Sequence, residues 1–205
     1  MKKVVYDLDG TLVSFNTFKG WVILSMLASI LFIRVVFIIP FLKLICLRFI
    51  GKIDRIGFKS SLLRLQVNSK FWRGIGFIYA RIISAYFIRN TLINLDNENF
   101  LATAAPAIYA NSLHLKSSVF DGVISSYFDE NGEFIETIKD KKSTLIAEYF
   151  TAEPDIFYTD HHDDLPLARV SKFVCIVQPT KHSEEIFRKE LRSEQYQIIS
   201  HINKV

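Results

Sequence analysis

Four acids, one lysine and one threonine hold the chemistry that can be read from this chain. Asp7 and Asp9 stand two apart and run into Gly10 and Thr11. Asp160 and Asp164 stand four apart much further on, with Thr103 and Lys142 between the two acid pairs. Carboxylates brought to one place repel one another. A hard divalent cation relieves that repulsion, and Mg²⁺ favours one or two carboxylates plus phosphate oxygens. The residue types therefore point to metal-assisted chemistry on a phosphate, provided the fold brings them together.

The surrounding elements supply the means. Lys2 to Asp7 is a short β-branched run, read as a buried strand that delivers Asp7 at its end. Asn99 to Thr103 and Asp155 to Asp160 read as strands ending in a small polar residue and an acid. Phe173 to Val177 reads as a last core strand. Helices are expected over Pro106–Leu113, Lys142–Phe150 and Leu165–Val170, and Asp129 to Gly132 reads as a tight hairpin turn. Strand–helix alternation implies a parallel, doubly wound α/β sheet, whose ligand crevice lies at the carboxyl ends of the strands. Asp7, Thr103 and Asp160 all fall there. Lys142 reaches the same place from a helix start.

In this order the motifs resemble the haloacid dehalogenase superfamily of phosphatases, subfamily IB. Asp7-Leu8-Asp9-Gly10-Thr11-Leu12 resembles its first motif, Thr103 its second, Lys142 its third and Asp160 to Asp164 its fourth. The resemblance covers roughly residues 1–14 and 95–180. It implies a Rossmann-like core over 1–14 and 93–205 and an inserted all-helical cap over 15–92. It also implies that Asp7 forms an aspartyl-phosphate, that Asp9 is the general acid and base, and that Thr103 and Lys142 bind the phosphoryl oxygens. Mg²⁺ is implied at Asp7, the Asp9 backbone carbonyl and Asp160, with Asp164 orienting Lys142 or a metal-bound water. Lys141 competes with Lys142 for the lysine role. His161 and His162 form a pair that can hold zinc, but beside an oxygen-rich centre they read as loop histidines. His114, His182 and His201 are isolated and read as structural or surface residues.

The inserted segment differs from its frame. Phe15 to Leu95 holds twelve basic residues and one acid, Asp54, for +11, which leaves −7 of the chain's total of +4 elsewhere. Gly20 to Leu42 is a run of 23 residues with a single charge, Arg34. That is long enough to span a bilayer. A single crossing would separate Asp7 from its partners, so a shallow interfacial hairpin broken at Pro40 is expected instead. Val35 to Leu42 would be its apolar tip, between Arg34 and Lys43.

Asn16 occupies a position at which the phosphoserine phosphatase-like branch carries a glutamate for the substrate amine. The greasy, basic cap also resembles the bacterial phosphatidylglycerophosphatase C-type branch. A phosphorylated lipid is therefore the expected substrate, at an anionic membrane surface on the cytoplasmic side. A soluble small phosphate monoester and a catalytically inactive interaction module are the competing readings. Nucleic acid does not fit the apolar run.

Composition excludes wholesale disorder, since half the residues are hydrophobic and 14% aromatic. Two cysteines, Cys46 and Cys175, cannot form a disulfide framework and read as reduced thiols in a cytosolic setting. Asp7 and Asp9 fall where a signal peptide would need apolar residues.

Overall fold

The computed structural model describes residues 1–117, 119–150 and 153–201, without the side chains of 114–117. The expectation for His114 lies outside the described residues. The centre is a seven-stranded sheet in the order β4-β3-β2-β1-β5-β6-β7. Its strands are β1 (Lys3–Tyr6), β2 (Glu98–Pro106), β3 (Gly122–Phe128), β4 (Phe134–Ile135), β5 (Ile156–Thr159), β6 (Phe173–Val177) and β7 (Tyr196–Ile199). All pairings are parallel except that of β3 with β4, which the turn at Gly132 makes antiparallel. The doubly wound α/β expectation is met.

Side-chain alternation explains the helices on both faces. Val4, Tyr6 and Leu101 point into one hydrophobic layer, while Val5, Phe100 and Ala102 point into the other. The second layer is closed by α6 (Lys139–Tyr149), α7 (Leu165–Val170) and α8 (Lys181–Glu190) through Ile146, Leu167 and Phe187. The first is closed by α5 (Ala107–Ser117) and by the insertion.

That insertion lies between two neighbouring strands, β1 and β2. It comprises α1 (Thr17–Leu31), α2 (Val35–Phe49), α3 (Arg55–Arg64) and α4 (Lys70–Tyr86). Asn16 caps α1 by accepting the Lys19 N–H at 2.9 Å, and Asp54 caps α3 by accepting the Gly57 N–H at 2.7 Å. The one acid of the insertion is therefore a helix cap. Trp21, Phe37, Phe41 and Trp72 form its interior, with Trp21 donating its indole N–H to Gln66 at 2.9 Å. This cluster runs without a break into Tyr109 and Leu101 against the sheet.

Three expectations change. Pro40 does not break the apolar run: α2 passes through it. The corner lies at residues 32–34, where Ile33 has φ +49°. Phe32 packs edge-on against Phe71 at 5.3 Å, and the Arg34 guanidinium lies over the same ring at 4.2 Å. Tertiary packing, not proline, sets the bend. Val35 to Leu42 is therefore the first half of α2 rather than a hairpin tip. The sheet also continues past Phe173–Val177 into α8 and β7.

Two glycines of α4 separate helix propensity from packing. A Cβ on Gly76 would lie 2.2 Å from the Ile108 carbonyl oxygen, so α4 touches α5 backbone to backbone there. Gly74, two residues earlier, has nothing within 4 Å. Gly74→Ala should stabilise the protein by up to about 1 kcal/mol through helix propensity. Gly76→Ala should destabilise it by about 1–3 kcal/mol through overpacking. Urea unfolding of the two variants checks this. Equal shifts in both would disprove the close approach of α4 to α5.

Candidate active site

The chain leaves β1 at Tyr6 and β5 at Thr159, and these strands are neighbours. Asp7 and Asp160, the next residues of each, therefore emerge side by side. The Asp7 N–H donates to the Tyr158 carbonyl at 2.9 Å, which extends the ladder by one step. Gly10 then turns the chain with φ +82°. A Cβ there would sit 2.1 Å from a carboxylate oxygen of Asp160, so only glycine allows the acid that close. The Thr11 hydroxyl donates to Asp160 at 3.3 Å.

Lys142 enters from the first turn of α6. It is 2% exposed, and its Nζ lies 2.8 Å from Asp7 Oδ1 and 2.6 Å from Asp164 Oδ1. Lys141 is exposed, so the helix phase selects Lys142. The Thr159 hydroxyl fixes the far oxygen of Asp164 at 2.8 Å. Asp9 accepts the Thr17 N–H at 3.0 Å, which joins it to the start of α1. These groups border a cleft of about 380 Å³ that contains Asp7, Asp9, Lys142, Asp160 and Asp164. Thr103 is buried and accepts the Ala105 N–H at 3.0 Å; its neighbour Ala104, not Thr103, borders the cleft.

Burial sets the protonation of the site. It raises the Asp7 carboxyl well above its usual range; Lys142 opposes the shift, while Asp164 and Asp160 add to it. Burial also raises Asp9, against the hydrogen bonds from Thr17. Asp160 is pushed up to about 6 by burial and then by Asp164. Desolvation disfavours the Lys142 ammonium, but its two carboxylate partners outweigh it and hold the group protonated. Asp7, Asp9 and Asp160 border the cleft and offer oxygens as donors, and the acids are short of positive charge. That set fits Mg²⁺.

Several supporting residues escaped the sequence reading. Arg89, at the end of the insertion, donates to the carbonyls of Gly10 and Thr11 at 3.1 and 2.9 Å and to Gln178 at 2.8 Å. Lys59 is buried and donates to Glu136 at 2.7 Å and to the Ala104 carbonyl. Arg55 joins Glu136 at 3.2 Å. The histidine pair sits at the rim. His161 Nδ1 accepts the Asp163 N–H at 3.2 Å, and His162 Nδ1 meets the Ser183 hydroxyl at 3.1 Å. Each Nδ1 thus has a protein partner, while ligand atoms of His161, His162 and Asp163 lie within 4.8 Å of one another.

No family model and no curated protein sequence matches the chain. Solved structures do. One is a Bordetella pertussis protein of unknown function, with a TM-score of 0.72 and 13% identity over 97% of both chains. Another is a haloacid dehalogenase family hydrolase of Salmonella enterica serovar Typhi, with a TM-score of 0.56 and 11% identity over 97% of this chain and 66% of that one. The chain has the haloacid dehalogenase fold. A phosphoserine phosphohydrolase-like protein of Francisella tularensis shares it, with a TM-score of 0.54 and 12% identity over 98% of this chain and 96% of that one.

The position of Asp160 has a consequence for stability. Its folded pKa of about 6 lies above the ordinary carboxyl value of about 3.9. Ionising it therefore costs folded stability: nothing below pH about 4, and the full amount above pH about 6. In EDTA, Asp160→Asn should be more stable than the native chain at pH 7.5, by up to about 3 kcal/mol. The advantage should fade as the pH falls to about 4. Paired denaturant melts across that range test this, and a difference that ignores pH would contradict it.

Proposed function

We propose that the chain is a Mg²⁺-dependent phosphomonoester hydrolase that works through an aspartyl-phosphate on Asp7. One observation carries this reading: a buried lysine joins the acid that ends β1 to an acid of the loop after β5, beside a second acid, Asp9, in one cleft. An Asp7 carboxylate oxygen attacks phosphorus, and the bond from phosphorus to the leaving oxygen breaks as the new one forms. Asp9, whose carboxyl burial raises above its ordinary range, is the acid that gives a proton to that oxygen. It then takes a proton from water, which attacks the aspartyl-phosphate, releases inorganic phosphate and restores Asp7. Lys142 neutralises charge on the transferring group and is oriented by Asp164. Thr103 is read as a ligand of a phosphoryl oxygen from the motif resemblance alone, since it accepts from Ala105 and only its neighbour Ala104 borders the cleft. Asp7, the Asp9 carbonyl and Asp160 would hold Mg²⁺, which supplies charge shielding between phosphate and nucleophile.

The substrate is read as a phosphorylated lipid, met at the cytoplasmic face of a membrane. A second cleft of about 640 Å³ supports this, since Asp9, Asn16, Arg55 and Ala104 border both it and the catalytic cleft. Phe18, Val22, Ile23 and Phe58 line it with apolar surface, and Lys19 and Arg48 add cations. An amphiphile with a polar headgroup matches that lining. A soluble monoester of the phosphoserine type is the second reading, favoured by the fold shared with the Francisella protein. Asn16 weighs against it, because its side chain is neutral and engaged as a helix cap. No helix among the described residues is long and apolar enough to cross a membrane.

Phosphate release with Mg²⁺ decides among these. Phosphatidylglycerophosphate and phosphatidate in mixed micelles should be turned over in preference to phosphoserine. Asp7→Asn should reduce turnover to background while the protein stays folded. Full activity in that variant would remove Asp7 as nucleophile, and a preference for phosphoserine would replace the lipid by the soluble ester.

A further inference from the structure

Two helices of the insertion are apolar nearly all the way round, yet each buries only one side. α1 turns Trp21, Ser25 and Ala28 inward and leaves Ile23, Leu27 and Ile30 exposed at helical spacing. α2 turns Phe37 and Phe41 inward and leaves Val35, Ile39, Leu42 and Phe49 exposed. A helix that is hydrophobic all round belongs in a core or against a membrane. The two outer stripes meet at the corner between the helices. Leu31, Ile33 and Val36 are 76%, 78% and 92% exposed there.

That corner is built rather than frayed. Ile33 is β-branched and sits at φ +49°, a backbone region such residues avoid. Phe32 and Arg34 hold it in place from both sides by packing on Phe71. Residues flanking the apolar surface all carry one sign of charge. From Thr11 to Ile53 there is no acid, while Lys19, Arg34, Lys43, Arg48 and Lys52 are all exposed. A second copy of the chain is a poor occupant. A two-fold contact would bring this basic patch against itself with no acid in it to meet the cations. Anionic lipid headgroups supply the missing charge, and the acyl boundary takes the apolar stripes.

We infer that the α1–α2 corner docks into an anionic lipid surface, with both helices lying along it and the five cations at headgroup level. Ile23 links this face to the proposed chemistry, because it is exposed on α1 and also borders the larger cleft. A headgroup then reaches Asp7 from the docked surface without crossing water. That last step rests on the lipid-phosphate reading; the docking does not.

Vesicle flotation tests it with the full chain. The protein should float with vesicles of phosphatidylcholine plus phosphatidylglycerol, and far less with phosphatidylcholine alone. Leu31→Asp/Val36→Asp should weaken flotation at least about tenfold while keeping the native circular dichroism and melting temperature. Should the double variant unfold, Phe49→Asp, at a site 92% exposed on the far end of α2, reads the same surface. Native protein that stays behind with anionic vesicles would overturn the inference, as would a folded variant that floats unchanged. So would a native dimer that the variant turns into a monomer, with no flotation by either; the face would then belong to a second copy. Asp7→Asn should float as the native chain does. Flotation without any phosphatase activity would retain the docking and reject the proposed reaction. Hydrolysis of soluble esters without flotation would do the opposite.

Discussion

The site depends on a single buried ammonium. Lys142 lies within 2.8 Å of Asp7 and 2.6 Å of Asp164, and Asp160 and Asp9 share its cleft. Four carboxyls around one cation cannot all ionise out of water, because each desolvated charge costs several kcal/mol unless it is paired. The site meets this in two ways. Lys142 is held charged by its two partners, while burial pushes Asp7, Asp9 and Asp160 above their ordinary values. A hard dication is the third way, and the oxygens facing the cleft fit one. The electrostatics of the site thus have one origin, an excess of negative charge that a bound cation would compensate.

This excess constrains the scaffold. Asp7 and Asp160 come side by side from adjacent strands, and β1 and β5 are adjacent because the chain reverses its winding direction there. The loop after β1 must then bend sharply beneath Asp160, which only Gly10 permits. The insertion begins at that loop and returns to it. Thr17 donates to Asp9 at its start, Arg89 donates to Gly10 and Thr11 at its end, and Lys59 reaches Ala104 from its middle. The helices that border the larger cleft are therefore anchored to the residues that hold the acids.

Much of this was legible from residue types. A β-branched run followed by acid, glycine and threonine announces a strand and a turn. Asp160 directly follows the strand expected to deliver it and Lys142 lies in the first turn of its helix, but Thr103 does not end its strand, which runs on to Pro106. Lys141 and Lys142 could be separated only by helix phase, which burial shows directly. Arg89, Lys59 and Glu136 were not legible. Their partners are distant in sequence, and Lys59 is one of twelve similar cations until its burial is seen. Pro40 misled for a physical reason. Proline removes one hydrogen bond from a helix, but the surrounding packing decides whether the helix ends. Here the ring of Phe71 fixes the bend at Ile33 instead.

The position of that bend changes what the apolar run is for. A break at Pro40 would have made a short tip that dips into lipid and leaves the rest of the segment in water. A bend at Ile33 divides the run into two helices of 15 residues each. Each has an inner face spent on Trp21, Phe37 and Phe41 and an outer face with no protein against it among the described residues. Burying aromatic residues accounts for the hydrophobicity of the inner side. It gives no reason for the outer stripes, which a protein in water alone would place at a cost in solubility. The excess basic charge beside the same stripes leads to the same surface by a separate route. Two properties of one segment, its outward hydropathy and its excess of basic charge, would both be met by the proposed anionic interface.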